Sequence, residues 1–290
     1  MPIIDVHVHL YPPEVNRDPV AWAAACGENH WAELCTRRRK DGSPVQEFPD
    51  VNALLRAMDA SGVARVVLQG WYWERPETCR LQNRFYAECI NAHPDRLSAF
   101  AAIHPGAGEK RALGELWISR DAGLIGLGEL SPHSQGIDIR DRAFLAILKR
   151  AGEYDMPVNL HVTDPLSKSY PGRVETPLKD FIGLAREFPS TTFILAHWGG
   201  GLAFDAESRP LRNLYYDTAA SPLLYGTEVW RRAIDAVGAE RILFGSDIPL
   251  RLYPKTDAGM GLAILVAEAK KAGADDAVLG ANTAQVLGLK

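Results

Sequence analysis

Short runs of β-branched and apolar residues recur along the whole chain, at 3–9, 65–69, 97–103, 124–130, 157–162, 192–197, 214–218 and 241–246. Longer segments separate them, most with apolar residues at helical spacing: 51–61, 77–92, 109–121, 142–154, 177–187 and 228–237. Several end in glycine, as at Ser61-Gly62, Ala122-Gly123 and Val237-Gly238, which suits a helix C-cap. Eight strand-like runs alternating with helices predict parallel βαβ units. In a chain of 290 residues that count fits an α/β (β/α)8 barrel, the TIM barrel, better than an open sheet. An open nucleotide-binding sheet would carry a G-x-G-x-x-G turn after its first strand; here the first strand runs into Val6-His7-Val8-His9-Leu10-Tyr11-Pro12.

Two further helical segments, 257–272 and 275–287, follow the eighth strand and are expected to close the barrel and cap one end. No linker separates any part of the chain, so 1–290 reads as one domain. The stretch 11–49 reads poorly as regular structure, with prolines at 12, 13, 19, 44 and 49, and is expected to be an elaborated first βα loop. Such loops stand over the C-terminal mouth of a barrel. Trp22, His30, Trp31 and the basic run Arg37-Arg38-Arg39-Lys40 are therefore lid or pocket candidates, with a structural arm or a homo-oligomer contact as the other reading.

Composition changes little. The chain is 47% hydrophobic and 23% charged, ordinary for a globular protein with its own core. A formal net charge of -4 gives no field that favours nucleic acid or an anionic membrane surface. Four cysteines, Cys26, Cys35, Cys79 and Cys89, lack C-x-x-C spacing and are expected to be reduced thiols. No segment reads as a signal peptide, and no apolar run approaches the roughly 20 residues that span a bilayer, so a cytoplasmic location without membrane contact is the expectation.

Chemistry concentrates at the strand ends. Alternation puts Asp5, His7 and His9 on one face of the first strand, directed to the barrel interior. One buried strand histidine is ordinary, but two in succession leave imidazole nitrogens that need partners, and a metal satisfies both. His161 ends the fifth candidate strand, His197 the sixth, Glu129 lies near the end of the fourth, and Asp247 follows the eighth. His104 and His133 also follow strands but read as loop or supporting residues. Trp71-Tyr72-Trp73 follows the second strand and Arg251 lies just beyond Asp247. From these, Trp71 and Trp73 are expected to wall a small-molecule site and Arg251 to pair with a substrate carboxylate.

This pattern, from Asp5-Val6-His7-Val8-His9 to the terminal Ala281-Asn282-Thr283-Ala284-Gln285-Val286-Leu287-Gly288-Leu289, resembles the amidohydrolase superfamily, in its aminocarboxymuconate-semialdehyde decarboxylase-like branch. The resemblance implies a divalent metal, commonly zinc with manganese as an alternative, held by His7, His9, His161 and Asp247. It further implies that Asp247 serves as ligand and base, that His197 binds a second ion or holds a reacting water, and that Glu129 bridges two ions or orients a histidine. The activity expected first is hydrolysis of an ester, lactone or amide bond in a small, cyclic or acidic molecule by metal-activated water. Non-oxidative decarboxylation is the rival, and a noncatalytic binding barrel the reading of another class.

Overall fold

The computed structural model describes residues 1–205, 208–256 and 259–289. Among them, eight parallel strands follow one another in chain order: β1 (Ile3–Val8), β2 (Val63–Leu68), β3 (Leu97–Ala101), β4 (Gly126–Leu130), β5 (Val158–Leu160), β6 (Phe193–Leu195), β7 (Leu214–Asp217) and β8 (Ile242–Leu243). Val8 bridges Ile248 in parallel and the Val6 amide donates to the Phe244 carbonyl at 2.8 Å, which brings the last strand back to the first. The expected (β/α)8 barrel is the observed fold.

The strands are shorter than their apolar runs because the chain leaves strand geometry where the chemistry begins. His197 and Asp247 both take left-handed backbone, with φ of 58° and 72°. For residues other than glycine such conformations cost roughly 1–3 kcal/mol each and concentrate at functional sites. β1 also departs from strict alternation, through a register shift between Asp5 and Val8. Ile4 and Val6 join Val67, Phe100, Ile194 and Leu243 in a cluster that alternates with the strand residues packed against helices, and so fills the barrel interior. Asp5 accordingly does not share the role of His7 and His9. Its Oδ1 accepts the main-chain amides of His7 and Ser246 at 3.1 and 2.9 Å, which fixes β1 against the turn after β8.

The stretch 11–49, expected to be irregular, instead contains α1 (Pro13–Arg17), α2 (Pro19–Cys26) and α3 (Asn29–Cys35). Two of the prolines that signalled a loop, Pro13 and Pro19, occupy the first turns of α1 and α2, where their missing N–H costs nothing, and Asp18 caps α2 by accepting from Ala21 N at 3.1 Å. Around the barrel run α4 (Val51–Ser61), α5 (Pro76–Ala92), α6 (Glu109–Asp121), α7 (Arg142–Glu153) and α8 (Leu178–Glu187). After β7 come α9 (Ser221–Leu224) and α10 (Glu228–Val237), and after β8 come α11 (Leu262–Lys271) and α12 (Asn282–Val286). Asp141 caps α7, and Phe144, Ile147, Leu148 and Ala151 form its buried stripe at helical spacing. Ala284, Val286 and Leu287, at the C-terminal end, pack against the interior cluster. Residues 257 and 258, where the penultimate helix was expected to begin, lie outside the described residues. The four cysteines are free, and among the described residues no helix is long and apolar enough to cross a membrane.

Candidate metal centre and active site

At the C-terminal ends of the strands six side chains from five strand ends converge, all but one of them buried. They form two sets of three, His7 with His9 and Asp247, and Glu129 with His161 and His197. Within each set the donor atoms lie within 4.8 Å of one another. Glu129 faces both: its Oε2 is 3.7 Å from His7 Nε2 and 3.6 Å from His9 Nε2, while its Oε1 lies 2.8 Å from His161 Nδ1 and 3.4 Å from His197 Nε2. Asp247 completes the ring, with Oδ1 3.5 Å from His9 Nε2 and Oδ2 3.8 Å from His197 Nδ1. The six residues singled out from sequence are thus brought together.

Three of the four imidazoles are tethered by Nδ1, so that Nε2 is the nitrogen turned to the centre. His7 Nδ1 meets Asp217 Oδ2 at 2.9 Å, His9 Nδ1 the Gln69 carbonyl at 3.1 Å and His197 Nδ1 the Ala219 carbonyl at 3.1 Å. This is the arrangement by which outer partners fix the tautomer of a metal-binding histidine. His161 differs, with Nε2 toward Thr163 Oγ1 at 3.2 Å.

The electrostatics also fit a cation. Burial disfavours a charge on His7, but the carboxylates of Asp217 and Glu129 outweigh it and hold its pKa well above the ordinary value. Burial likewise opposes His197, yet Glu129 and Asp247 raise it to about 9. His9 goes the other way, to about 3, through burial and the neighbouring His7. Burial pushes Asp247 up to about 7 against the pull of His7 and His197, whereas Glu129, equally buried, is held well below its usual range by His161 and His7. Clustered carboxylates draw positive charge into the centre, and a divalent cation among these imidazole and carboxylate donors supplies it. Cys35 is close by, but burial pushes its thiol up and keeps it from acting as a thiolate.

A cavity of about 710 Å³ opens on the cluster, touching His9, Glu129, His161, His197 and Asp247. Trp71 and Tyr72 line it, stacked with centroids 4.5 Å apart, Trp71 against His9 at 5.1 Å and Tyr72 against His161 at 5.2 Å. Trp73 is not among the lining residues. It is fully buried among Tyr11, Trp22 and Trp31, and its indole N–H donates to Gln82 Oε1 at 2.7 Å. Arg251 also lies off the cavity, its Nε 3.7 Å from Glu47 Oε1. Arg37 and Arg39 of the basic run and Lys168 do line it, as does His30. His133 pairs with Asp180 away from the cluster, and His104 stands outside both donor sets. The placement of the two tryptophans separates their variants: Trp73→Ala is expected to destabilise the fold by about 3–5 kcal/mol, read by denaturant unfolding, and to leave KM unchanged, whereas Trp71→Ala raises KM.

Asp217, fully buried at the end of β7, is the chemically important residue that the sequence reading passed over. Its signal was a metal-ligating residue type at a strand's C-terminal end, the same signal that marked His161 and Glu129.

A family model described as amidohydrolase matches residues 4–289. The chain belongs to the amidohydrolase family. It is therefore an enzyme of the amidohydrolase superfamily, as its His-x-His pattern led one to expect. No curated protein matches this amidohydrolase in sequence. Among solved structures it is similar to 2,6-dihydroxybenzoate decarboxylase from Rhizobium, at 19% identity and TM-score 0.67, over 100% of this chain and 99% of that one. It is similar as well to dihydroxybenzoic acid decarboxylase from Polaromonas sp. JS666 with bound manganese and 2-nitroresorcinol, at 18% identity and TM-score 0.67, over 99% and 97% of the two chains. A third is 5-carboxyvanillate decarboxylase from Sphingomonas paucimobilis, at 17% identity and TM-score 0.70, over 100% and 99%. These relatives reverse the order of the two chemistries expected from the sequence. Hydrolysis, placed first, gives way to the rival reading, because these three neighbours with this fold are decarboxylases and the donor set serves either reaction. Zinc loses its priority on the same footing: a divalent cation suits the site, while a neighbour that names its metal holds manganese.

Proposed function

We propose that this amidohydrolase is a metal-dependent, non-oxidative decarboxylase of a small hydroxylated aromatic acid, with manganese(II) as its working ion. The observation that carries the reading is a cluster of imidazoles and carboxylates beneath a cavity walled by Trp71 and Tyr72, in a chain similar over its full length to decarboxylases of hydroxylated benzoates. His7, His9, His161 and Asp247 would hold the ion, with Glu129 beside it. When bound, the cation would anchor the substrate's carboxylate and an adjacent phenolic oxygen and draw off negative charge.

The chain's own residues supply the rest. Trp71 and Tyr72 offer ring faces against which an aromatic acid stacks. Arg37, Arg39 and Lys168 give the approach to the cavity a positive lining suited to an anion. In the reaction the bond between ring carbon and carboxylate breaks, its electron pair stays on the ring carbon, carbon dioxide leaves and a proton takes its place. Asp247 is the acid for that step. Its Oδ1 is turned to His9 and its Oδ2 toward His197, so one oxygen can face the cation while the other handles the proton. Incubating the protein with manganese and a panel of hydroxylated benzoic acids, 2,6-dihydroxybenzoate and 5-carboxyvanillate among them, is expected to release carbon dioxide from at least one. Release from none would overturn the proposal.

A further inference from the structure

Asp217 belongs to neither three-donor set, yet it touches both. Its Oδ2 lies 2.9 Å from His7 Nδ1 and accepts from Asn159 Nδ2 at 2.9 Å. Its Oδ1 accepts the main-chain amides of His197 at 3.1 Å and Ala219 at 3.0 Å. The carboxylate is fully buried and is satisfied by four donors from four places: β1, β5, the turn after β6 and the residue two beyond itself. A buried carboxylate without such partners would be strongly destabilising, so this wiring is what lets a charge sit beneath the cluster.

Two consequences follow from the direction of those bonds. An ionised carboxylate can only accept, so His7 must donate from Nδ1, and its lone pair in the neutral ring is then at Nε2. That nitrogen faces His9 Nε2 at 3.1 Å and Asp247 Oδ1 at 3.8 Å, inside the first donor set. The same carboxylate fixes the main chain of His197, a member of the second set, while the Ala219 carbonyl beside it fixes the ring of His197. One short segment therefore orients an imidazole from each set.

We infer that Asp217 is a positioning residue that locks His7 with Nε2 presented to the cation and ties the two donor sets into one rigid centre. Asparagine cannot replace it. With its amide nitrogen at the Oδ2 place it would meet two donors, and His7 would have to move its proton to Nε2, the nitrogen that must bind. With the amide reversed, the nitrogen would face the amides of His197 and Ala219 instead.

The inference rests on His7 being a ligand, and its test uses no substrate, so it stands or falls separately from the decarboxylase reading. In protein with 15N-labelled histidine and no added metal, His7 of the unaltered chain is expected to show a protonated Nδ1; a neutral ring protonated at Nε2 would overturn the inference without any variant being made. In Asp217→Asn the proton is expected to shift to Nε2 and the affinity for manganese, measured by competition with a chelator, to fall about 10- to 100-fold. The His9 signal, held by the Gln69 carbonyl, should stay in place and serve as the control for intact folding. An Asp217→Asn protein that keeps the His9 signal and binds manganese as tightly as the parent chain would contradict the positioning role.

Discussion

His9→Ala is expected to lower kcat/KM by about a thousand-fold, roughly 4 kcal/mol of transition-state stabilisation, and to leave a folded protein that retains little manganese after dialysis. The reason for choosing His9 is its local simplicity. Its Nδ1 is tied only to the Gln69 carbonyl, which also accepts from the Tyr86 hydroxyl at 2.7 Å, so truncation removes one donor to the centre and leaves that carbonyl partnered. His7→Ala would also leave the buried Asp217 without its imidazole, which confounds loss of metal with loss of stability. Metal analysis of the purified variant, alongside thermal unfolding, separates the two. Full metal content with full activity would remove His9 from the ligand set.

Asp247→Asn is expected to cost about 100- to 10,000-fold in kcat, with a smaller change in KM. The amide keeps the side chain's size and can still offer an oxygen to the cation, but it cannot hand a proton to the ring carbon. Asp247 is held in place independently of its carboxylate, since its main-chain amide donates to the His7 carbonyl at 2.8 Å, so the substitution should leave the turn after β8 intact. Single-turnover kinetics with the metal-loaded variant would reveal the loss in the chemical step. An unchanged rate would assign the proton to another group, with His197, 3.8 Å away and outside the proposed ligand set, the first candidate.

Much of this centre was legible in the chain because its chemistry is written in residue types at repeated positions. His7 and His9 share a strand, and His161, Glu129, His197 and Asp247 each stand at or just beyond the end of a later strand, where a parallel barrel gathers side chains. What was not legible depended on contacts between distant segments. Asp217 carries no motif; its role appears only when β7 is laid beside the histidine of β1. Trp71 and Trp73 are two residues apart in a loop with no regular period, so nothing local says that one faces the cavity and the other the aromatic cluster under α2 and α3. Those helices were hidden because proline marks both a loop and the first turn of a helix. Arg251 looked well placed by its nearness to Asp247 in sequence, yet the cations at the cavity include Arg37, Arg39 and Lys168, brought there by the first and fifth βα connections. The choice between hydrolysis and decarboxylation was the least legible, since the same donors can activate water or anchor a carboxylate.

The most direct test of the decarboxylase assignment is to run the manganese-loaded enzyme with hydroxylated benzoic acids in deuterium oxide and follow the products by nuclear magnetic resonance and mass spectrometry. The mechanism predicts one carbon dioxide per substrate consumed and one deuterium at the ring carbon that bore the carboxylate. Consumption of an ester, lactone or amide with solvent oxygen in the product, and no carbon dioxide from any benzoate, would contradict it.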